Sequence, residues 1–214
     1  MTYEYCIVFD LDGVLIDSET NISWLEEAAK RTLMEYNLPL TNENLIKLYP
    51  FNVFQFKKMS AELGINVSDI WKTRNKHYTE QKLLAMKNRI ITPYNDVNEL
   101  YKLKRYSSIC IISDSPQEVV DFFIKEFNYE DLFDRGIGRG SELKDLDNIK
   151  PNPYFYNKLI KYIESKKFIY VGDTEKDREF AHNTGMKFIL LSRKTEGSYS
   201  SLESIVSELI TLIK

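Results

Sequence analysis

Cysteine and histidine are scarce in this chain, with two of each among 214 residues. Cys6 and Cys110 sit in separate apolar, β-favouring runs, where a thiol packs as a small hydrophobe, and they match neither zinc-ligand spacing nor a redox pair. His77 and His182 lie far apart in helix-like segments, which leaves a histidine metal centre or a Ser/His hydrolase little support. No stretch approaches the roughly 20 apolar residues that span a bilayer. Nor does the N-terminus show a basic start followed by a long apolar segment, so a cytoplasmic location without a membrane partner is the default expectation. Charge of one sign is not in excess either. A net charge of -3 gives no general attraction for nucleic acid or anionic lipid, so a small molecule is the expected partner. Internal repeats and low-complexity tracts are absent.

With 43% hydrophobic and 29% charged residues, the composition is that of an ordinary globular protein with a real core. Four short runs, 5–9, 108–112, 168–171 and 187–191, are almost continuously apolar, and a weaker one lies at 135–138. Strands apolar on both sides and separated by helical segments (97–103, 116–127, 153–163, 177–184 and 201–213) predict a parallel sheet covered on each face. Between the first two strands, residues 18–88 carry only helical signals. Ile22, Leu25, Ala29, Leu33 and Tyr36 recur at helical spacing, Val53, Phe56 and Leu63 follow, and Ser68 reads as an N-cap for a long segment to about residue 87. The predicted fold class is α/β: a Rossmann-like three-layer α/β/α core with a mostly parallel sheet (1–17 and 89–214) plus a small α-helical cap domain (18–88). Both cap connections fall beside the end of the first strand, which fits a hinge there and equally a rigid helical elaboration.

That strand runs into Asp10-Leu11-Asp12-Gly13. Two carboxylates this close repel unless one is protonated or a cation neutralises both, and Mg²⁺ with its oxygen ligands is the natural candidate. Polar residues also end the other strands, where open α/β sheets bind ligands. The Ser113 hydroxyl and the amides of Asp114 and Ser115 are suited to phosphate oxygens, or to capping a helix. Asp173 follows a buried strand and is a candidate metal ligand; Asp177, entering a helix, is suited to a water ligand or to capping. Lys150, fixed before Pro151-Asn152-Pro153, offers a cation for a phosphate. Nucleophile, proton donor, metal site and positive clamp together are the parts of phosphoryl transfer.

Taken in order, 10–18 (Asp-Leu-Asp-Gly-Val-Leu-Ile-Asp-Ser), 112–115 (Ile-Ser-Asp-Ser), 150–153 (Lys-Pro-Asn-Pro) and 172–177 (Gly-Asp-Thr-Glu-Lys-Asp) resemble the four motifs of the haloacid dehalogenase superfamily, in its phosphatase branch with a helical cap after the first motif, of the phosphoglycolate phosphatase and β-phosphoglucomutase type. The resemblance implies that Asp10 attacks phosphorus to form an aspartyl-phosphate, while Asp12 protonates the leaving oxygen and then activates water. It implies Mg²⁺ held by an Asp10 oxygen, the Asp12 carbonyl and Asp173, with Asp177 one step removed, and Ser113 and Lys150 gripping the transferring group. The acid two residues after the nucleophile, Asp12, separates phosphate chemistry from dehalogenation. One departure is Asp114, a charge in the second motif, expected to face outward as a cap.

The expected activity is Mg²⁺-dependent hydrolysis of a small soluble phosphate monoester. A sugar phosphomutase needs a basic cap loop, and the turn 48–52 has no Arg or Lys before Lys57. A phosphonate hydrolase needs a reactive cap lysine, and several lysines of 18–88 have no other assigned role, so that alternative stays open; a non-catalytic binder has no need of a paired nucleophile and acid. Trp24, Phe51, Asn52, Phe54, Lys57, Trp71 and Arg74 are cap candidates for the pocket, with the aromatic ones expected in the cap's own core and the charged ones on a solvated face. Monomer and homodimer both fit.

Overall fold

In the computed structural model, which describes residues 3–49, 52–193 and 199–213, five parallel strands form one sheet in the order β3-β2-β1-β4-β5. They are β1 (Tyr5–Phe9), β2 (Ser107–Pro116), β3 (Arg135–Arg139), β4 (Lys167–Gly172) and β5 (Lys187–Leu190). Alternation along each strand divides the core in two. Ile7, Phe9, Ile109, Ile111, Ile169 and Val171 point into one apolar cluster, and Cys6, Val8, Cys110, Ile112 and Tyr170 into the other. Helices α5 (Gln117–Glu126) and α8 (Leu202–Ile213) cover the first face; α6 (Tyr154–Leu159) and α7 (Glu175–Thr184) cover the second. The two thiols, on adjacent strands, are buried, free and 3.6 Å apart.

Helices α1 (Ser23–Glu35), α2 (Asn42–Lys47), α3 (Val53–Glu62) and α4 (Val67–Lys87) occupy the stretch between β1 and β2. Ala29, Leu33, Phe56, Ile70 and Trp71 form a separate cluster there, joined from the core side by Leu146. The connections on either side of this stretch pair with each other: Asp17 N–H donates to the Thr92 carbonyl at 2.9 Å and Tyr94 N–H to that of Leu15 at 3.0 Å. Arg193 braces the same place, with both Nη atoms 3.0 Å from the Asp96 carboxylate and its guanidinium 3.7 Å from the Tyr94 ring centre.

Several local expectations shift. The cap of α4 is Asn66, whose side chain accepts from the Ser68 and Asp69 amides, not Ser68. Likewise α7 begins two residues early, because Thr174 is its cap and Asp177 completes the capping box from the third position. Strand β2 runs four residues past 112 with a register irregularity before Pro116, and α2 is an additional helix. Among the described residues no helix is long and apolar enough to cross a membrane.

Candidate active site

The central strand β1 is flanked by β2 and β4 in matched register, with Phe9 opposite Ile111 on one side and Val171 on the other. Asp10 and Asp173, which directly follow the ends of β1 and β4, and Ser113, which lies inside β2 two residues past the partner of Phe9, are thereby placed at the point where the chain's winding reverses direction. Carboxylate oxygens of Asp10, Asp173 and Asp177 all lie within 4.8 Å of one another. Gly13 makes this possible: its φ is +75°, and a Cβ there would stand 2.3 Å from Asp173 Oδ2.

Lys150 enters this group from the loop before α6. Its ammonium lies 2.9 Å from Asp10 Oδ2 and 2.5 Å from Asp177 Oδ1, and donates to the Tyr170 hydroxyl at 3.0 Å. One ammonium thus serves two buried acids, unequally. Burial would raise Asp177, but Lys150 and Thr174 outweigh it and hold the pKa low. Burial pushes Asp10 well above the usual carboxylate range despite Lys150. Asp173, in no ion pair among the described residues, is pushed up to about 7 by burial, then by Asp177 and Glu19. Three acids against one cation leave the cluster short of positive charge. Hard oxygen donors in that imbalance suit a divalent ion such as Mg²⁺. Both Asp177 oxygens are already engaged by Lys150 and Thr174, which leaves Asp10 and Asp173 as the side chains best placed to hold it.

The Asp12 side chain turns away from this cluster. It accepts from Ser18 Oγ at 2.6 Å, Ser115 Oγ at 2.8 Å and Lys82 Nζ at 2.5 Å. Burial alone would raise its pKa, yet Lys82 and the two hydroxyls lower it. Lys82, 1% exposed, comes from α4 and also donates to Ser115 Oγ at 2.9 Å. Only the Asp12 backbone is therefore left for the metal side.

Ser113 is buried, and its Oγ accepts from the Ser115 amide at 3.1 Å, which removes that amide from the expected phosphate donors. Asp114 departs from expectation. Instead of facing outward as a cap, it accepts the Lys150 amide at 2.9 Å and pairs with Lys176 at 2.6 Å. Its charge is neutralised by a base.

A cavity of about 640 Å³ opens beside Asp12 between the helical stretch and the sheet, lined also by Ser18, Trp24, Arg74, Tyr78, Lys82 and Arg139. Of the cap candidates, Trp24 and Arg74 reach it, and Arg74 is buried rather than solvated. Trp71 lies in the helical cluster as expected, Phe54 is 76% exposed, Asn52 caps α3, Lys57 is exposed, and Phe51 is outside the described residues. Sequence reasoning missed Lys82 and Arg139, and gave Ser18 and Lys176, both inside recognised motifs, no role. Lys82 shares with Arg74 and Tyr78 a row at intervals of four on α4, a spacing that does not by itself mark a buried face.

A parallel sheet with acids gathered at its switch point and a helical layer over them defines an α/β enzyme scaffold. The chain belongs to the haloacid dehalogenase-like hydrolase family, which matches residues 7–191. It is 28% identical over 193 residues to phosphoglycolate phosphatase of Aquifex aeolicus (86% of this chain, 83% of that one). It is 25% identical over 197 residues to pyrophosphatase PpaX of Halalkalibacterium halodurans (89% and 85%). Among solved structures it resembles CbbY from Rhodobacter sphaeroides in complex with phosphate, with TM-score 0.66, 15% identity and coverage of 94% and 96%. It also resembles a haloacid dehalogenase-like hydrolase from Streptococcus pneumoniae, with TM-score 0.57, 15% identity and 98% of each chain covered.

Proposed function

We propose that this hydrolase is a Mg²⁺-dependent phosphatase of small phosphate monoesters, with Asp10 as nucleophile, Asp12 as acid and base, and residues 18–88 as a cap over the core. The observation that carries the reading is the charge imbalance at Asp10, Asp173 and Asp177 around the single Lys150 ammonium. The names of the two sequence relatives, both phosphatases, point the same way.

Asp10 and Asp173 side chains with the Asp12 carbonyl would hold Mg²⁺, which supplies charge neutralisation for the nucleophile and for phosphoryl oxygens when bound. Lys150 and Ser113 position the phosphoryl group, and Asp177 keeps Lys150 aimed and charged through its 2.5 Å pair. Asp10 attacks phosphorus as the ester oxygen leaves, forming an aspartyl-phosphate; Asp12 gives that oxygen its proton. Water, relieved of a proton by Asp12, then releases inorganic phosphate. Lys82 holds Asp12 ionised before substrate enters. A phosphate dianion offers the ammonium a second anion, loosening its hold so that Asp12 can take a proton from solvent for the first turnover, and thereafter from the water it activates, and pass it to the leaving oxygen.

Phosphonate hydrolysis with Lys82 as the cap nucleophile is disfavoured by the same contact. Burial would lower the Lys82 pKa, but Asp12 and Tyr78 raise it, so Lys82 stays an ammonium and not a nucleophile. Measuring released phosphate over a metabolite panel tests the proposal: activity needs added Mg²⁺, is lost on chelation, and falls by at least ~10³-fold in Asp10→Asn. Wild-type-level turnover by Asp10→Asn refutes it.

A further inference from the structure

Arg193 takes no part in the chemistry above, yet it touches both connections between the sheet and the helical stretch. It lies just past β5, and its side chain is 14% exposed. Nη1 donates to Asp96 Oδ2 and Nη2 to Asp96 Oδ1, each at 3.0 Å, a two-pronged pair that fixes geometry as well as charge. Nη2 also donates to the Val14 carbonyl at 2.8 Å. Val14 belongs to the outgoing connection and Asp96 to the returning one.

The partners are themselves anchored. Asp96 Oδ2 accepts the Leu202 amide at 2.8 Å, at the start of α8, which ties the returning connection to the core. The guanidinium sits over the Tyr94 ring, and the Tyr94 amide reaches across to Leu15. Arg193 Nε, by contrast, is buried without a hydrogen-bond partner among the described residues. An arginine that only covered surface would keep that N–H in water; here it is given up for the contacts of the two Nη atoms.

Those contacts bear on the turn that carries Asp12. Gly13 N–H donates to the Ile16 carbonyl at 3.0 Å, and the Leu15 and Ile16 amides donate to that of Leu11 at 2.9 and 3.0 Å, so residues 11–16 form one compact unit. Asp12 and Pro93 both pair with Ile16 through the backbone. The Val14 carbonyl takes its donor from outside the turn, and that donor is Arg193. Lys82 links the Asp12 carboxylate to the helical stretch; Arg193 links the backbone beneath it to the core.

We propose that Arg193 is a positioning residue for Asp12: paired with Asp96, it clamps the outgoing and returning connections onto the core and keeps the Asp12 turn in place beside Asp10, so that the proton donor meets the leaving oxygen. This goes beyond the phosphatase proposed above and rests on that reading.

Paired esters separate aim from stability. The leaving oxygen of 4-nitrophenyl phosphate hardly needs a proton, whereas that of ethyl phosphate needs one from Asp12. In Arg193→Met, kcat/KM for ethyl phosphate should fall ~10-fold or more beyond any fall for 4-nitrophenyl phosphate. Asp96→Asn should act in the same direction, and the two losses should not add in the double variant. Arg193→Lys, which keeps the charge but not the fork, should recover part of the loss. Equal losses on both esters, or no loss on either, overturn the role, since a merely structural defect scales both alike.

Amide hydrogen exchange reads the clamp without turnover. Arg193→Met should speed exchange at 13–17 and 92–94, where the connections bond to each other, while β1 and β4 keep theirs. That pattern supports the clamp even if no ester is hydrolysed, an outcome that would sink the phosphatase reading alone. Exchange unchanged at 13–17, or speeded equally across the sheet, in protein that keeps its wild-type circular dichroism contradicts it. Where Arg193→Met fails to fold, Asp96→Asn carries both tests with the same outcomes.

Discussion

Gly13 carries more of the site than its size suggests. Its φ of +75° lets the chain turn sharply after Asp12, and its missing Cβ is what allows Asp173 to close in. Gly13→Ala therefore combines a left-handed backbone penalty of about 1 kcal/mol with displacement of a proposed metal ligand. The expected outcome is a melting temperature lowered by several degrees and at least ~10-fold weaker Mg²⁺ activation of phosphate release; a variant with wild-type Mg²⁺ dependence contradicts this. At this scale the two acids and Ser113 were legible because apolar runs that give way to Asp10, Ser113 and Asp173 need a reason for buried polarity. Lys82 and Arg139 were not. A lysine in a long polar helix and an arginine after a short Gly-containing strand look like solvated residues until the tertiary structure buries them.

Helix α7 shows how an element can serve folding and chemistry at once. Thr174 Oγ1 accepts the Asp177 amide at 3.2 Å and donates to Asp177 Oδ2 at 2.6 Å, while the other Asp177 oxygen meets Lys150. Thr174→Ala removes the cap, at a cost of about 1 kcal/mol, and frees Asp177 to turn. Denaturant unfolding should show that loss, with kcat falling more than KM rises as Lys150 loses its aim. Loss of stability with kcat unchanged would mean that the cap is structural only. Strand positions were readable from apolar continuity, since a sheet covered on both faces imposes it. Helix starts were less so, because Asn66 and Ser68, or Thr174 and Asp177, are competent caps within a few residues of each other and backbone geometry decides between them. The buried face of α4 went unrecognised for a related reason: Arg74, Asn75, His77, Gln81 and Lys82 share it with Ile70, Trp71 and Met86, which blurs the apolar stripe.

Across the whole molecule, the helical stretch and the sheet are held together by polar ties around the cavity: Lys82 to Asp12, Asn75 to Arg139, and Trp71 Nε1 to the Ser141 carbonyl at 2.8 Å. Helical-only signals over 18–88 suggested an inserted cap, but its seating needed these long-range contacts. Because Leu146 of the core joins the helices' apolar cluster, Phe56→Ala should cost ~3–5 kcal/mol and shift one shared unfolding transition; a separate early transition of the helices would contradict that coupling. The centre of the account remains the attack of Asp10 on phosphorus. Its most direct measurement is acid quenching of the enzyme during turnover with Mg²⁺ and substrate, followed by peptide mass spectrometry. The expected result is a phosphoryl group on the Asp10 carboxylate, absent from Asp10→Asn. Phosphate release with an unmodified Asp10 peptide at every quench time, or a phosphoryl group on another residue, would contradict it.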